Sequence, residues 1–152
     1  MNRALAALLL SLLLPAACAA DAPAAPAVSA ETEAIKQTAL DYIEGWYDGD
    51  AARMERALHP DLAKRIVRTQ DGKSRLDHMG ALALVQGTRG GFGTKTPQGK
   101  RQKDVTVLDV YQNAASVKVV ASDWVDYLHL SRFNGRWVIV NVLWELKPVA
   151  GK

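Results

Sequence analysis

The chain has 152 residues, with 19 Lys and Arg against 16 Asp and Glu and a formal charge of +3 at pH 7. So even a balance gives no footprint for nucleic acid, and a single cysteine, Cys18, excludes a disulfide framework. The fold must therefore hold by its core, for which 49% hydrophobic residues leave ample material.

Residues 1–20 have the layout of a secretory signal peptide: Arg3, an apolar run from Leu5 to Leu14, and a small-residue stretch from Pro15 to Ala20. The run is about ten residues, against roughly 20 for a spanning helix, so it predicts export to the periplasm or the exterior and no transmembrane anchor. Cleavage after Ala19 or Ala20 would remove Cys18. Alternatively, Ala16-Ala17-Cys18 resembles the end of a bacterial lipobox, with Pro15 where Leu is usual, and makes Cys18 a lipid-anchor site. Residues 21–30 read as an Ala/Pro-rich disordered spacer, and residues 31–152 as a single domain.

Glu31 to Tyr47 is helical by periodicity, with Ile35, Ala39, Tyr42, Ile43 and Trp46 on one face. Asp48-Gly49 stops that helix, and Asp50 caps a second, Ala51 to Leu58, ended by His59-Pro60. Leu62 to Thr69 is ambiguous, with a short edge strand around Arg65-Ile66-Val67, and Gln70 to Lys73 is a turn. Ser74 with Asp77 resembles a capping box for a third helix, Arg75 to about Gln86. The loop from Gly87 to Lys103 carries five glycines, five Lys or Arg and no acid, which suits a mobile lid.

Asp104 to Leu146 then reads as a four-strand antiparallel meander holding three of the four tryptophans. Asn134-Gly135 is a type I′ hairpin signal and sets a register in which Asp126 faces Leu143 and Leu128 faces Asn141. Regular alternation places Trp124, Asp126, Leu128, Leu130, Trp137, Ile139, Asn141, Leu143 and Glu145 on one side. Val125, Tyr127, His129, Val138, Val140, Val142 and Trp144 fall on the other. Both sides are largely apolar, so one is expected to meet the helices and the other an identical subunit.

Helices followed by an antiparallel sheet give an α+β class. The order of elements resembles the cone-shaped fold of the nuclear transport factor 2-like (NTF2-like) superfamily, which includes ketosteroid isomerase, scytalone dehydratase and SnoaL-type polyketide cyclases. Four strings carry a closer resemblance, to the bacterial "putative lumazine-binding" family. They are Asp41-Tyr42-Ile43-Glu44-Gly45-Trp46-Tyr47, His59-Pro60-Asp61-Leu62, Asp126-Tyr127-Leu128-His129-Leu130 and Gly135 through Trp144. The resemblance covers about Glu31 to Lys147 and implies N-terminal helices packed on a curved antiparallel sheet, with a cavity between them.

In such a cup, Asp126 among apolar neighbours is a candidate for proton transfer or hydrogen bonding, with Asn141 beside it. The bland alternative is a satisfied core pair. His59 is a candidate acid or base, or else a helix-end hydrogen-bonding residue. Tyr42, Trp46 and Trp124 are core aromatics that can also wall a ligand. No His/Cys/Asp/Glu spacing suits a metal, and no cofactor motif is present. The glycine-rich basic loop lacks P-loop spacing, and no serine has an elbow or a histidine partner.

The preferred reading is therefore an exported small-ligand-binding domain for a small aromatic or apolar molecule, with Tyr42, Trp46, His59, Trp124, Asp126 and Asn141 lining the site and a homodimer formed through one sheet face. One alternative is an isomerase, dehydratase or cyclase using Asp126 or His59. Another is a non-catalytic interaction domain.

Overall fold

A computed structural model describes residues 29–148. The expected signal peptide and spacer residues 21–28 lie outside the described residues, whereas Ser29 and Ala30 already belong to the first helix and its cap. Helix α1, Ala30–Asp48, begins with the Ser29 side chain accepting from the Thr32 amide and stops at Gly49, whose φ of 69° lies in the left-handed region that glycine enters at no cost. Asp50 caps α2, Ala51–Ala57, through the Arg53 amide at 2.9 Å.

The chain passes directly from α2 into a long strand, β1, Leu58–Gln70, so His59-Pro60 lies inside a strand rather than behind a helix. A hairpin leads to β2, Lys73–Met79, and α3 follows at Ala81–Arg89. The expected helix from Arg75 is corrected here: Ser74 caps nothing and instead shares a 2.8 Å hydrogen bond with Thr69 across the hairpin. Asp77 is held by Arg68 and Arg75, each at 3.0 Å. Seven paired positions with β1 outweigh the local helical pattern.

The remaining strands are β3, Lys103–Tyr111; β4, Ala114–Ala121; β5, Trp124–Phe133; and β6, Arg136–Leu146. One six-stranded sheet results, in the order β2-β1-β6-β5-β4-β3, antiparallel except where β1 runs parallel to β6. The α+β architecture is thus as expected: helices on one concave face of a curved open sheet. The core lies between them, with Ile35, Ala39, Ile43 and Met54 against Val117, Val119, Leu128, Leu130, Ile139 and Val142.

The Asn134-Gly135 turn forms with both residues at positive φ, 50° and 77°, and pairs Phe133 with Arg136 and Arg132 with Trp137 as its type requires. Further along, the register shifts. Leu130 pairs with Ile139, but His129 pairs with Asn141, leaving Val140 as an extra residue in a β-bulge. One inserted residue moves every later side chain of β6 to the opposite face. Asp126 therefore faces Trp144, not Leu143, and Leu128 faces Val142, not Asn141. Val142 and Trp144 turn toward the helices, while Asn141 and Leu143 turn outward. Further irregularities in β1 and β3 add to the bending of the sheet.

Candidate functional site

Strand β1 alternates Leu62, Lys64 and Ile66 toward the helices, all three buried. A lysine on that apolar face must find a partner or lose its charge. Lys64 finds it two strands away: its backbone pairs with β6 at Val142, and its chain crosses the Trp144 ring to reach Asp126 on β5. The Nζ lies 4.6 Å from the Trp144 ring centre, within cation–π range, and 2.5 Å from Asp126 Oδ1. The Tyr42 hydroxyl comes down from α1, accepts from Lys64 Nζ at 2.8 Å and donates to Asp126 Oδ2 at 3.2 Å. Trp124 Nε1 donates to the same carboxylate oxygen at 2.6 Å.

Asp126, with 0% exposure, thus accepts from three donors and has no edge open to a bound molecule. That environment serves a fixed counter-ion better than a free general base. The removal of Lys64 from water pushes its amine below the usual lysine value, while the Asp126 charge and hydrogen bond pull it back up. Tyr42 is driven well above the ordinary phenol value, first by burial and then by the Asp126 charge, so it stays a neutral donor. Ammonium and carboxylate cancel, and the group is electrically neutral in a buried setting.

Above this group lies a concavity of about 320 Å³ lined by Tyr42, Trp46, Met54, Lys64, Met79, Leu84, Asp123, Trp124, Trp144 and Leu146. Its walls come from all three helices and from four strands, and apart from Lys64, Asp123 and the Tyr42 hydroxyl they are apolar or aromatic. Trp46 meets Trp124 edge-on at 6.4 Å. The loop after α3 fixes Trp46 from behind: a Cβ on Gly93 would lie 2.1 Å from the Trp46 carbonyl oxygen, so only glycine permits this approach. The basic loop read as a mobile loop or lid lies against α1 at Gly93, with short turns at Gly93–Lys95 and Gln98–Lys100.

Of the residues singled out in the sequence, Tyr42, Trp46, Trp124 and Asp126 come together here. His59 and Asn141 do not. His59 packs its ring on Phe133 at 4.4 Å and accepts from the Asp61 amide through Nδ1. Asn141 lies on the outer sheet face, where it accepts from Arg65 at 3.0 Å and contacts His129 Nδ1 at 3.1 Å. The Val140 bulge is the cause. Tyr127 and His129 also face outward and are exposed. Lys64 was missed, although Leu62-x-Lys64-x-Ile66 carries the signal of a cation on the buried side of a strand. Among the described residues no group of three or more His, Cys, Asp or Glu is placed to hold a metal. No described helix is long and apolar enough to cross a membrane.

Residues 30–145 match the protein family described as "Putative lumazine-binding". Among solved structures, the chain is similar to an NTF2-like protein of unknown function from Shewanella baltica, at 20% identity and a TM-score of 0.61, covering 78% of this chain and 95% of that one. It is also similar to an NTF2-like protein with a cystatin-like fold from Novosphingobium aromaticivorans, at 14% identity and a TM-score of 0.56, with coverages of 79% and 82%. A ketosteroid isomerase-like protein from Erwinia carotovora gives 13% identity, a TM-score of 0.53 and coverages of 79% and 98%. No curated protein matches the chain. At such identities the likeness establishes the fold, and the chemistry rests on this chain's own residues.

Proposed function

The chain belongs to the putative lumazine-binding family of NTF2-like domains, and on that premise we propose that it is an exported carrier or receptor for a small, largely apolar or aromatic molecule, held in the concavity above Lys64 and Asp126. One observation carries the reading: three tryptophans and a tyrosine wall a space of about 320 Å³ with one neutral polar cluster at its base and Asp123 as the remaining charged lining residue. Large apolar walls with few, fixed polar groups are the pattern of small-molecule sites. The apolar run at Leu5 to Leu14 supports export. The three donors already on the fully buried Asp126 speak for binding over an isomerase or dehydratase that would need this carboxylate against its substrate.

The outer sheet face supports a homodimer as the working assembly, because it leaves Val67, Tyr127 and Leu143 about half exposed, at 48%, 46% and 52%. Both parts can be tested together. N-phenyl-1-naphthylamine, an uncharged dye that brightens in apolar surroundings, should bind saturably with one site per chain, and Trp46→Ala should weaken it by about tenfold, the equivalent of about 1.4 kcal/mol. Equal binding by both proteins would count against the site. Sedimentation should give twice the chain mass for the parent and one chain mass for Tyr127→Glu; a parent that sediments as a monomer removes the dimer.

A further inference from the structure

The Lys64 ammonium has three N–H groups and, among the described residues, two oxygen partners: Asp126 Oδ1 at 2.5 Å and the Tyr42 hydroxyl at 2.8 Å. No third oxygen accepts from it, and the residue lines the concavity. A ligand group placed against this amine must be an acceptor. It must also be uncharged, since an anion would add net charge to a buried pair that already cancels. Arg68, whose guanidinium lies 5.9 Å from the Trp144 ring, is turned to Asp77 at 3.0 Å and does not line the concavity. A neutral carbonyl oxygen meets both conditions.

A carbonyl held at that point lies beside a desolvated primary amine whose proton already sits in a hydrogen bond to a carboxylate. We propose that the pocket captures neutral aldehydes or ketones with an aromatic or apolar body, Lys64 joining their carbonyl carbon as a protonated Schiff base with Asp126 as its counter-ion. This rests on the pocket reading given above. The Lys64 ammonium passes one proton to Asp126, and the freed nitrogen lone pair attacks the carbonyl carbon, giving a neutral carbinolamine after proton transfer from nitrogen to oxygen. Asp126 returns its proton by way of the Tyr42 hydroxyl, which takes it up and passes its own to the carbinolamine hydroxyl; that hydroxyl leaves as water while the nitrogen lone pair forms the C=N bond. The net change converts ammonium and carbonyl compound to iminium and water. The pair sums to zero charge at every stage, as ammonium with carboxylate, then amine or carbinolamine with carboxylic acid, then iminium with carboxylate, so no buried charge is left uncompensated. Burial, which lowers the proton affinity of this amine, helps the first step.

The test is reductive trapping. The full chain is incubated at neutral pH with trans-cinnamaldehyde and cyanoborohydride, and the adduct is located by peptide mass mapping; tryptophan quenching is read in parallel, with cinnamyl alcohol as the partner that lacks the carbonyl. The expected result is one adduct per chain at Lys64, at about tenfold the occupancy of the exposed Lys36 or Lys73, because only Lys64 lines the concavity that holds the probe beside its amine. Both probes should quench, and Lys64→Arg should lose the dominant adduct. Quenching by both compounds with label spread evenly over the exposed lysines would overturn Schiff-base capture and leave the pocket reading intact. If neither compound quenches and Lys64 carries no label, both readings fall. The mapping on the parent decides the matter even if the arginine variant fails to fold.

Discussion

Asp41 and Tyr42 are neighbours on α1, yet they anchor two charged groups that behave differently. Tyr42 points inward to Lys64 and Asp126, one cation and one anion with no substitute for either. Asp41, itself buried, points away from that group into a mesh toward α2. It accepts from Arg53 and Arg56 at 2.9 Å each, Arg53 also engages Glu44, Glu44 also meets Lys103, and Asp48 holds Arg101 at 2.9 Å. The outer mesh ties α1 to α2 and to the start of β3 through several partly exposed, overlapping pairs. It is a clamp in which any single contact can be lost. The inner group cannot lose a member without stranding a charge in an apolar setting. Redundancy is what separates the two networks.

The sharpest way to break the comparison is to delete one inner partner. Lys64→Met keeps the apolar stem and removes the charge, leaving Asp126 buried with two neutral donors. Denaturant unfolding should show a loss of about 3–5 kcal/mol, the usual cost of an unpaired buried charge. Adding Asp126→Leu should restore much of it, with about 1–3 kcal/mol still missing because Tyr42 and Trp124 then lack an acceptor. A single replacement costing under about 1 kcal/mol would mean that water already reaches the pair, and the contrast with the outer mesh would vanish.

How much of this could be read from the chain follows from the range of each signal. Local signals were legible: the Asp48-Gly49 stop, the Asp50 cap, and the Asn134-Gly135 turn are set by the residues themselves. The inward placement of Tyr42, Trp46, Trp124 and Asp126 was also legible, because an inward helix stripe and an alternating strand identify it. The failures are non-local. Ser74 to Met79 carries a helical pattern but becomes β2 because β1 offers it a backbone ladder. The Val140 bulge leaves no mark in the alternation, since Val138, Val140 and Val142 are all β-branched and suit either face, and that one residue carried Asn141 away from Asp126. Lys64 was hidden by reading Arg65-Ile66-Val67 as an edge, when β1 lies inside the sheet between β2 and β6.

A smaller effect sharpens the other side of the comparison. Arg53 is the best-connected member of the outer mesh, and Arg53→Ala should cost about 1 kcal/mol, at the upper end for partly exposed pairs. Arg56 has one partner and a side chain 51% exposed, so Arg56→Ala should stay within about 0.5 kcal/mol by the same measurement. If Arg53→Ala approached the Lys64→Met loss, redundancy would not be the distinguishing property.

The smallest expected effect is an acid slope, and its sign follows from the carboxylates of the mesh. Burial works to raise the Asp41 carboxyl, but hydrogen bonds from Arg56 and Arg53 more than offset it and hold the group below its ordinary 3.8. Glu44 is held below 4.5, chiefly by its hydrogen bond from Lys103, with Arg53 assisting against a smaller burial penalty. In the unfolded chain both groups take up protons at their ordinary values, while in the folded chain they remain charged to lower pH. Through that interval the unfolded state binds more protons, so stability falls as acidity rises. The contribution is complete above the ordinary values and disappears once pH has dropped through the folded ones. Urea midpoints at about pH 5, 4 and 3 should therefore decline for the parent and decline less for Arg53→Ala, which loses a cation shared by both carboxylates. Parallel declines would place the acid sensitivity elsewhere and leave the mesh as a set of contacts without electrostatic consequence.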